Sequence, residues 1–189
     1  MGFRSRHVGT YRRRRLFRGR RRTFVVASAL MLAFSVVTSG LIVWPAQGMP
    51  SRVNAIIMLA GPGDRLATAV KLAREQRAPV LVVSRGWQGY GGPCPPMTPA
   101  VKTICFDPNP GDTRGEAEFA GKLAKHYGWR SVVLVTTPEQ ATRARIVMRR
   151  CFSGSIYVIT ASLPLDEWPY LIFYEWGAIF KALALYRDC

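Results

Sequence analysis

Residues able to do polar chemistry fall into four short groups along the 189-residue chain. The first is GPGDR, with Gly61, Gly63, Asp64 and Arg65; the second is Ser84, Arg85 and Gly86. The third is Thr113 with Glu116, and the fourth is Thr136, Thr137, Gln140 and Arg143. Glycines leave backbone N–H groups open to an anion, and a helix starting there adds the positive end of its dipole. Arg65 and Arg143 suit a phosphate or carboxylate, because a guanidinium offers paired donors in a fork. Gly61, Gly63, Arg65, Ser84, Thr137, Gln140 and Arg143 are the expected ligand-binding set, with Glu116 and Asp64 as candidate acid or base. GPGDR lacks the third glycine of GxGxxG and the Lys-Ser/Thr pair of a P-loop. A glycine turn joining a strand to a helix is also what plain chain geometry requires. His7 lies in a basic tail and His126 stands beside Tyr127, so the sequence offers no nucleophile–base triad and no metal cluster. No cofactor and no metal are expected.

These groups act together only if strands and helices bring them to one place. Residues 53–60 (VNAIIMLA) form a continuous apolar run, as in a strand buried on both faces. Leu66, Ala69, Val70, Leu72 and Ala73 then recur at helical spacing, with Asp64 placed to cap the helix. Residues 79–84 (PVLVVS) give a second strand, completing a βαβ unit. Residues 85–112 hold five glycines and six prolines and show no sustained period, so they read as one long loop. Thr113 and Glu116 have the spacing of a capping box, opening a helix over 113–127 that Gly128 ends. Strands over 131–137 and 155–160 flank a helix over 138–151. A last helix over 168–187 is mostly apolar but carries Glu175 and Lys181, each costing roughly 2.5–3.5 kcal/mol at the centre of a membrane span. It is expected to pack on the sheet, leaving an aromatic face over 168–174 for a membrane or a partner. The pattern is α/β, with a mainly parallel sheet of at least four strands. In such a sheet ligands bind beyond the carboxyl ends of the strands, where the first, second and fourth groups fall.

The net charge of +16 is concentrated at one end. Residues 1–22 hold ten arginines and no acid, leaving six net positive charges to the rest. Residues 23–44 (TFVVASALMLAFSVVTSGLIVW) carry no charge and are long enough to cross the ~30 Å hydrocarbon layer. Arginines beside a span stay in the cytoplasm, so the expected organisation is a cytoplasmic tail (1–22), a transmembrane helix (23–44), a connector (45–52) and an extracytoplasmic domain (53–189). A cleaved secretory signal competes with the anchor, although its apolar region is ordinarily shorter. A basic arm for nucleic acid also competes, but the adjoining apolar run makes anionic lipid headgroups the expected partner and nucleic acid not one. Cys94, Cys105, Cys151 and Cys189 all follow the span, an even number where disulfides persist. Three connectivities are open; Cys94 with Cys105, closing the Pro-rich loop, and Cys151 with Cys189, stapling the chain end, are favoured over free thiols.

The order of motifs resembles the bacterial YdcF/SanA/ElyC-like family of domains of unknown function. It runs from a strand ending in L-x-G-x-G-x-R through VLVVS, a TRGE helix start and VVLVTT with Arg143-Ala144, to EWGAIFKAL (175–183). The similarity covers nearly all of residues 53–187. It implies a Rossmann-like three-layer domain, N-terminal membrane tethering and a role in cell-envelope homeostasis involving peptidoglycan or a lipid carrier. The implied ligand is an anionic or phosphorylated envelope precursor, and the resemblance adds Thr113 to the residues expected to bind it; a non-catalytic envelope interaction module is the alternative. The chain departs from the family pattern at Gln140, where many members have His, and at Gly115-Glu116, where many have Glu-Asn. Gln cannot carry a proton as His does, so a proton-shuttling role is in question at this position.

Overall fold

The computed structural model describes residues 8–86, 94–96 and 99–189, with side chains from Arg21 onward. The arginine tail before Val8, and residues 87–93, 97 and 98 of the Gly/Pro-rich stretch, lie outside the described residues. The chain divides into two compact units, residues 1–39 and 40–189.

The first unit is one helix, α1 (Val8–Thr38), followed by a π-helical turn, Ser39–Val43. Within it, Arg21–Val43 has a mean hydropathy of 2.2 over its most apolar stretch, long and apolar enough to cross a membrane. Two of its hydroxyls are satisfied inside the helix: Ser35 donates to the Met31 carbonyl and Thr38 to that of Phe34. Such back-bonding removes the cost of placing a hydroxyl in hydrocarbon.

The second unit is a five-stranded sheet, parallel throughout, in the order β3-β2-β1-β4-β5. In chain order its elements are β1 (Ala55–Met58), α2 (Arg65–Arg74), β2 (Val80–Ser84), β3 (Lys102–Phe106), α3 (Thr113–Tyr127), β4 (Ser131–Thr136), α4 (Pro138–Cys151), β5 (Ser155–Thr160) and α5 (Trp168–Ala184). This is the Rossmann-like α/β class. Successive side chains of the central strands serve opposite layers. Ala55, Ile57, Val132 and Leu134 pack under Ala117, Ala120 and Ala124 of α3 and Ala141, Ala144 and Met148 of α4. Ile56, Met58, Val133 and Val135 pack against Ala69 and Ala73 of α2. A fully buried Ile, Leu or Met contributes roughly 1.5–3 kcal/mol, so these two layers hold the sheet.

Two expectations need correction. Residues 85–112 are not loop throughout, because Lys102–Phe106 (KTICF) pairs with β2 as an edge strand, with Val83 opposite Cys105. Its β-branched and aromatic residues suit a strand, but Gly and Pro on both sides obscure so short a run. Thr113 does not cap α3. Asp112 holds the cap position and accepts from the N–H groups of Arg114 and Gly115, while Glu116 turns its carboxylate away from the helix end. Gly128 does end α3, in the left-handed conformation. Both favoured disulfides are formed, Cys94–Cys105 and Cys151–Cys189. The stretch expected as a connector is laid along β5, where Gly48 pairs with Val158 and the Gln47 side chain accepts from the Thr160 N–H.

Candidate functional site

The strand order reverses between β1 and β4: from β1 the chain steps outward to β2 and β3, then crosses to β4 and β5. At such a reversal the loops diverge and leave a crevice at the carboxyl edge. A cleft of about 300 Å³ opens there, lined by the turn after β1, the first turns of α3 and α4, and the side chains of Leu171, Tyr174 and Glu175 from α5.

Arg65, at the start of α2, folds back under this turn and is buried. Its Nε donates to the Pro62 carbonyl at 2.8 Å, and Nη1 donates to the Ala60 carbonyl at 2.6 Å and to Gln140 Oε1. Nη2 donates to Thr137 Oγ1 and, at 3.4 Å, to Glu139 Oε1. All five N–H groups have protein acceptors, so Arg65 builds the floor of the cleft instead of offering a free fork. Burial lowers its pKa from the usual guanidinium range to about 10, against the opposing pull of Glu139 and Glu116, and it remains a cation at neutral pH. Gly61 makes room for it, since a Cβ there would stand 2.6 Å from Arg65 Nη1.

Gln140 links the two arginines. Its Oε1 accepts from Arg65 and from Thr136 Oγ1 at 3.0 Å; its Nε2 donates to Thr113 Oγ1 at 2.9 Å. Thr113 Oγ1 also accepts from Arg143 Nη1 at 2.6 Å. Both lone pairs of that hydroxyl are therefore occupied, and its hydrogen is left to donate. Arg143 forks onto Glu175, Nε to Oε2 and Nη2 to Oε1, each at 2.7 Å. Three of its five N–H groups are used and two remain. Burial disfavours the charged form of Arg143, but the bonds and charge of Glu175 outweigh it and raise the pKa.

Two more carboxyls complete the lining. Glu116 accepts from the Ala60 N–H at 2.7 Å and bonds to Ser84; burial still raises its pKa. Glu139 pairs with Arg65 and accepts from Thr137 through Oε1, while its buried Oε2 has no partner. Burial raises the Glu139 pKa as well, partly offset by Thr137 and Arg65. The cleft thus presents spare donors on Arg143 and Thr113 beside carboxyls on Glu116 and Glu139. That combination fits a ligand carrying both acceptor and donor groups.

The expected residues fall around this arrangement unequally. Gly61, Arg65, Thr113, Gln140, Arg143 and Glu116 line the cleft, Thr137 lies behind it, and buried Ser84 touches it through Glu116. Gly63 shapes the turn, since a Cβ there would meet the Ser162 carbonyl oxygen at 2.3 Å. Asp64 faces outward toward Ser162 Oγ at 3.5 Å and makes no cap bond to α2. Sequence reasoning missed Glu139 and Glu175 as members of the site. Glu175 had a signal, a carboxylate in an apolar helix, which calls for a buried cation. Among the described residues no group of His, Cys, Asp or Glu is placed to hold a metal ion.

No protein-family model and no curated protein matches the chain. Among solved structures it is similar to the crystal structure of glycinamide ribonucleotide transformylase 1 from Symbiobacterium toebii, at 18% identity and a TM-score of 0.33. The match covers 57% of this chain and 51% of that one, so the chain spans about half the length of the protein it resembles. A likeness at that level says nothing about the cleft.

Proposed function

We propose that this chain is a membrane-anchored, extracytoplasmic protein of the YdcF/SanA/ElyC-like kind, serving cell-envelope homeostasis by binding an anionic or phosphorylated envelope precursor. The observation that carries the binding role is the unused valence of Arg143 and Thr113 in the cleft at the β1/β4 reversal. Phosphate oxygens accept from such donors, and the neighbouring carboxyls accept hydroxyls of a sugar. At about 300 Å³ the cleft lies at the small end of ligand sites, the size of a sugar phosphate. The anchor rests on the apolar helix beside the arginine tail, and the extracytoplasmic placement on that tail and the paired cysteines.

Two experiments test this. Thiol labelling of intact cells, before and after reduction, is expected to modify the protein only after reduction and from the outside; labelling only after lysis refutes the orientation. Native mass spectrometry of the full chain released from detergent is expected to show a phosphorus-containing adduct, lost in the Arg143→Met/Glu175→Leu double variant. An adduct that persists in that variant refutes the assignment of the site.

A non-catalytic module is favoured over an enzyme by one observation. Gln140, which cannot titrate, sits at the centre of the polar chain joining Arg65 to Arg143, and the Arg65 donors are all taken up by the protein. In this reading the full chain binds the species and does not turn it over.

A further inference from the structure

The outer face of α5 is apolar and aromatic although the domain has its own core. Tyr170, Phe173, Tyr174, Gly177, Phe180, Lys181 and Ala184 recur at helical spacing on one side of α5, and Phe173 is 75% and Phe180 69% exposed. The opposite side carries buried Glu175, Ile179 and Ala182. An exposed stripe of this width, with no carboxylate in it, needs an occupant.

Where the chain joins the domain decides which occupant. The Leu41 carbonyl accepts from the Thr142 hydroxyl and the Ala46 carbonyl from Arg145 Nη2 at 2.7 Å, both on the first two turns of α4. Gln47 then meets Thr160 and Gly48 meets Val158, so the chain runs down β5 from its carboxyl end. Residues 41–48 are therefore tied to α4 and β5 from the carboxyl edge of the sheet, and they follow the apolar stretch directly in the sequence. The cleft opens at that same edge, and Leu171 and Tyr174 of α5 line it. Trp44, 74% exposed, marks the point of attachment. Trp and Tyr gather at the headgroup level of bilayers, and a lysine among them pairs with anionic headgroups.

We infer that the exposed face of α5, with Trp44, rests in the headgroup layer of the bilayer that holds the chain, so that the cleft opens beside the lipid surface. This rests on the reading of the chain as membrane-anchored. A ligand then reaches the cleft from the plane of the membrane, and its phosphate sits near the headgroups.

The test is nitroxide accessibility in the full-length protein, reconstituted into liposomes of phosphatidylcholine and phosphatidylglycerol. The four native cysteines are bridged, so one added cysteine takes the label. Labels at Phe173→Cys and Phe180→Cys report on the face, Phe34→Cys on the apolar helix, and Lys122→Cys, exposed on α3, supplies the aqueous reference and checks folding. The expected result is a severalfold higher ratio of oxygen to nickel-chelate collisions at 173 and 180 than at 122. Aqueous values at 173 and 180 with a lipid value at 34 overturn the docking and leave the anchor standing. An aqueous value at 34 refutes the anchor, and positions 173 and 180 still decide the docking by their own values. Shielding of 173 and 180 from both reagents means that protein covers the face, and also overturns the proposal.

Discussion

Arg143 on α4 and Glu175 on α5 meet through two parallel hydrogen bonds of 2.7 Å, and the carboxylate is 2% exposed. The pair links the helix that follows β4 to the helix that closes the fold, and it leaves Arg143 with donors to spare. Removing one partner strands the other charge out of water, which costs about 3–5 kcal/mol, whereas replacing both with apolar residues is often neutral. Arg143→Ala and Glu175→Ala are each expected to lower stability by that amount in urea denaturation, and Arg143→Met/Glu175→Leu by far less. Singles as mild as the double would show that the charges are solvated.

Glu116 makes stability fall with rising pH. Its folded pKa is raised above the ordinary 4.5 by burial, so between 4.5 and the raised value the unfolded chain releases its proton first. The unfolded state binds fewer protons in that window, and stability declines through it and levels off above. Denaturation as a function of pH, wild type minus Glu116→Gln, is expected to isolate this decline. Glu116→Gln keeps an acceptor for the Ala60 N–H but cannot ionise. Identical pH profiles would mean that Glu116 titrates as if in water.

Gly115 has a packing role. A Cβ there would stand 2.0 Å from the Pro110 carbonyl oxygen, so only hydrogen fits where residues 109–110 cross the first turn of α3. Gly115→Ala is expected to cost about 1–3 kcal/mol, as overpacking does. Gly177→Ala, with open space around it on α5, is expected to gain roughly 0.5–1 kcal/mol from helix propensity. Equal effects of the two in thermal unfolding would count against this packing.

How far the sequence discloses the site depends on where each signal is written. The three central strands, β1, β2 and β4, are legible because each is an apolar run buried on both faces, and the helices because their alanines recur at helical spacing. Position after a strand end brought Arg65, Gln140 and Arg143 together before any geometry was known, and the family resemblance added Thr113. What stayed hidden was who satisfies whom. The spacing from Thr113 to Glu116 fits a capping box as well as it fits the observed geometry, in which Asp112 caps and Glu116 reaches Ala60 across 56 residues. Arg65 looks like a ligand clamp until its acceptors, Gln140 and Thr137, arrive from 75 and 72 residues away. Long-range pairing of this kind has no local pattern to read.

The two disulfides are expected to differ in worth. Cys151–Cys189 joins residues 38 apart and Cys94–Cys105 residues 11 apart. By loop-closure entropy the longer link contributes about 4 kcal/mol and the shorter about 3 kcal/mol. Cys151→Ser/Cys189→Ser should therefore lower the urea midpoint more than Cys94→Ser/Cys105→Ser does. The reverse order would mean that residues 94–105 are tied into the domain more strongly than chain entropy alone accounts for.

Phosphorus NMR of a sugar 1-phosphate titrated with the full chain in lipid nanodiscs tests the central claim most directly, because it reads the anion itself at the donors of Arg143 and Thr113. The account predicts saturable broadening with the wild type, and its loss in Arg143→Met/Glu175→Leu while that variant remains folded. No response from the wild type, or the same response from both proteins, would contradict it.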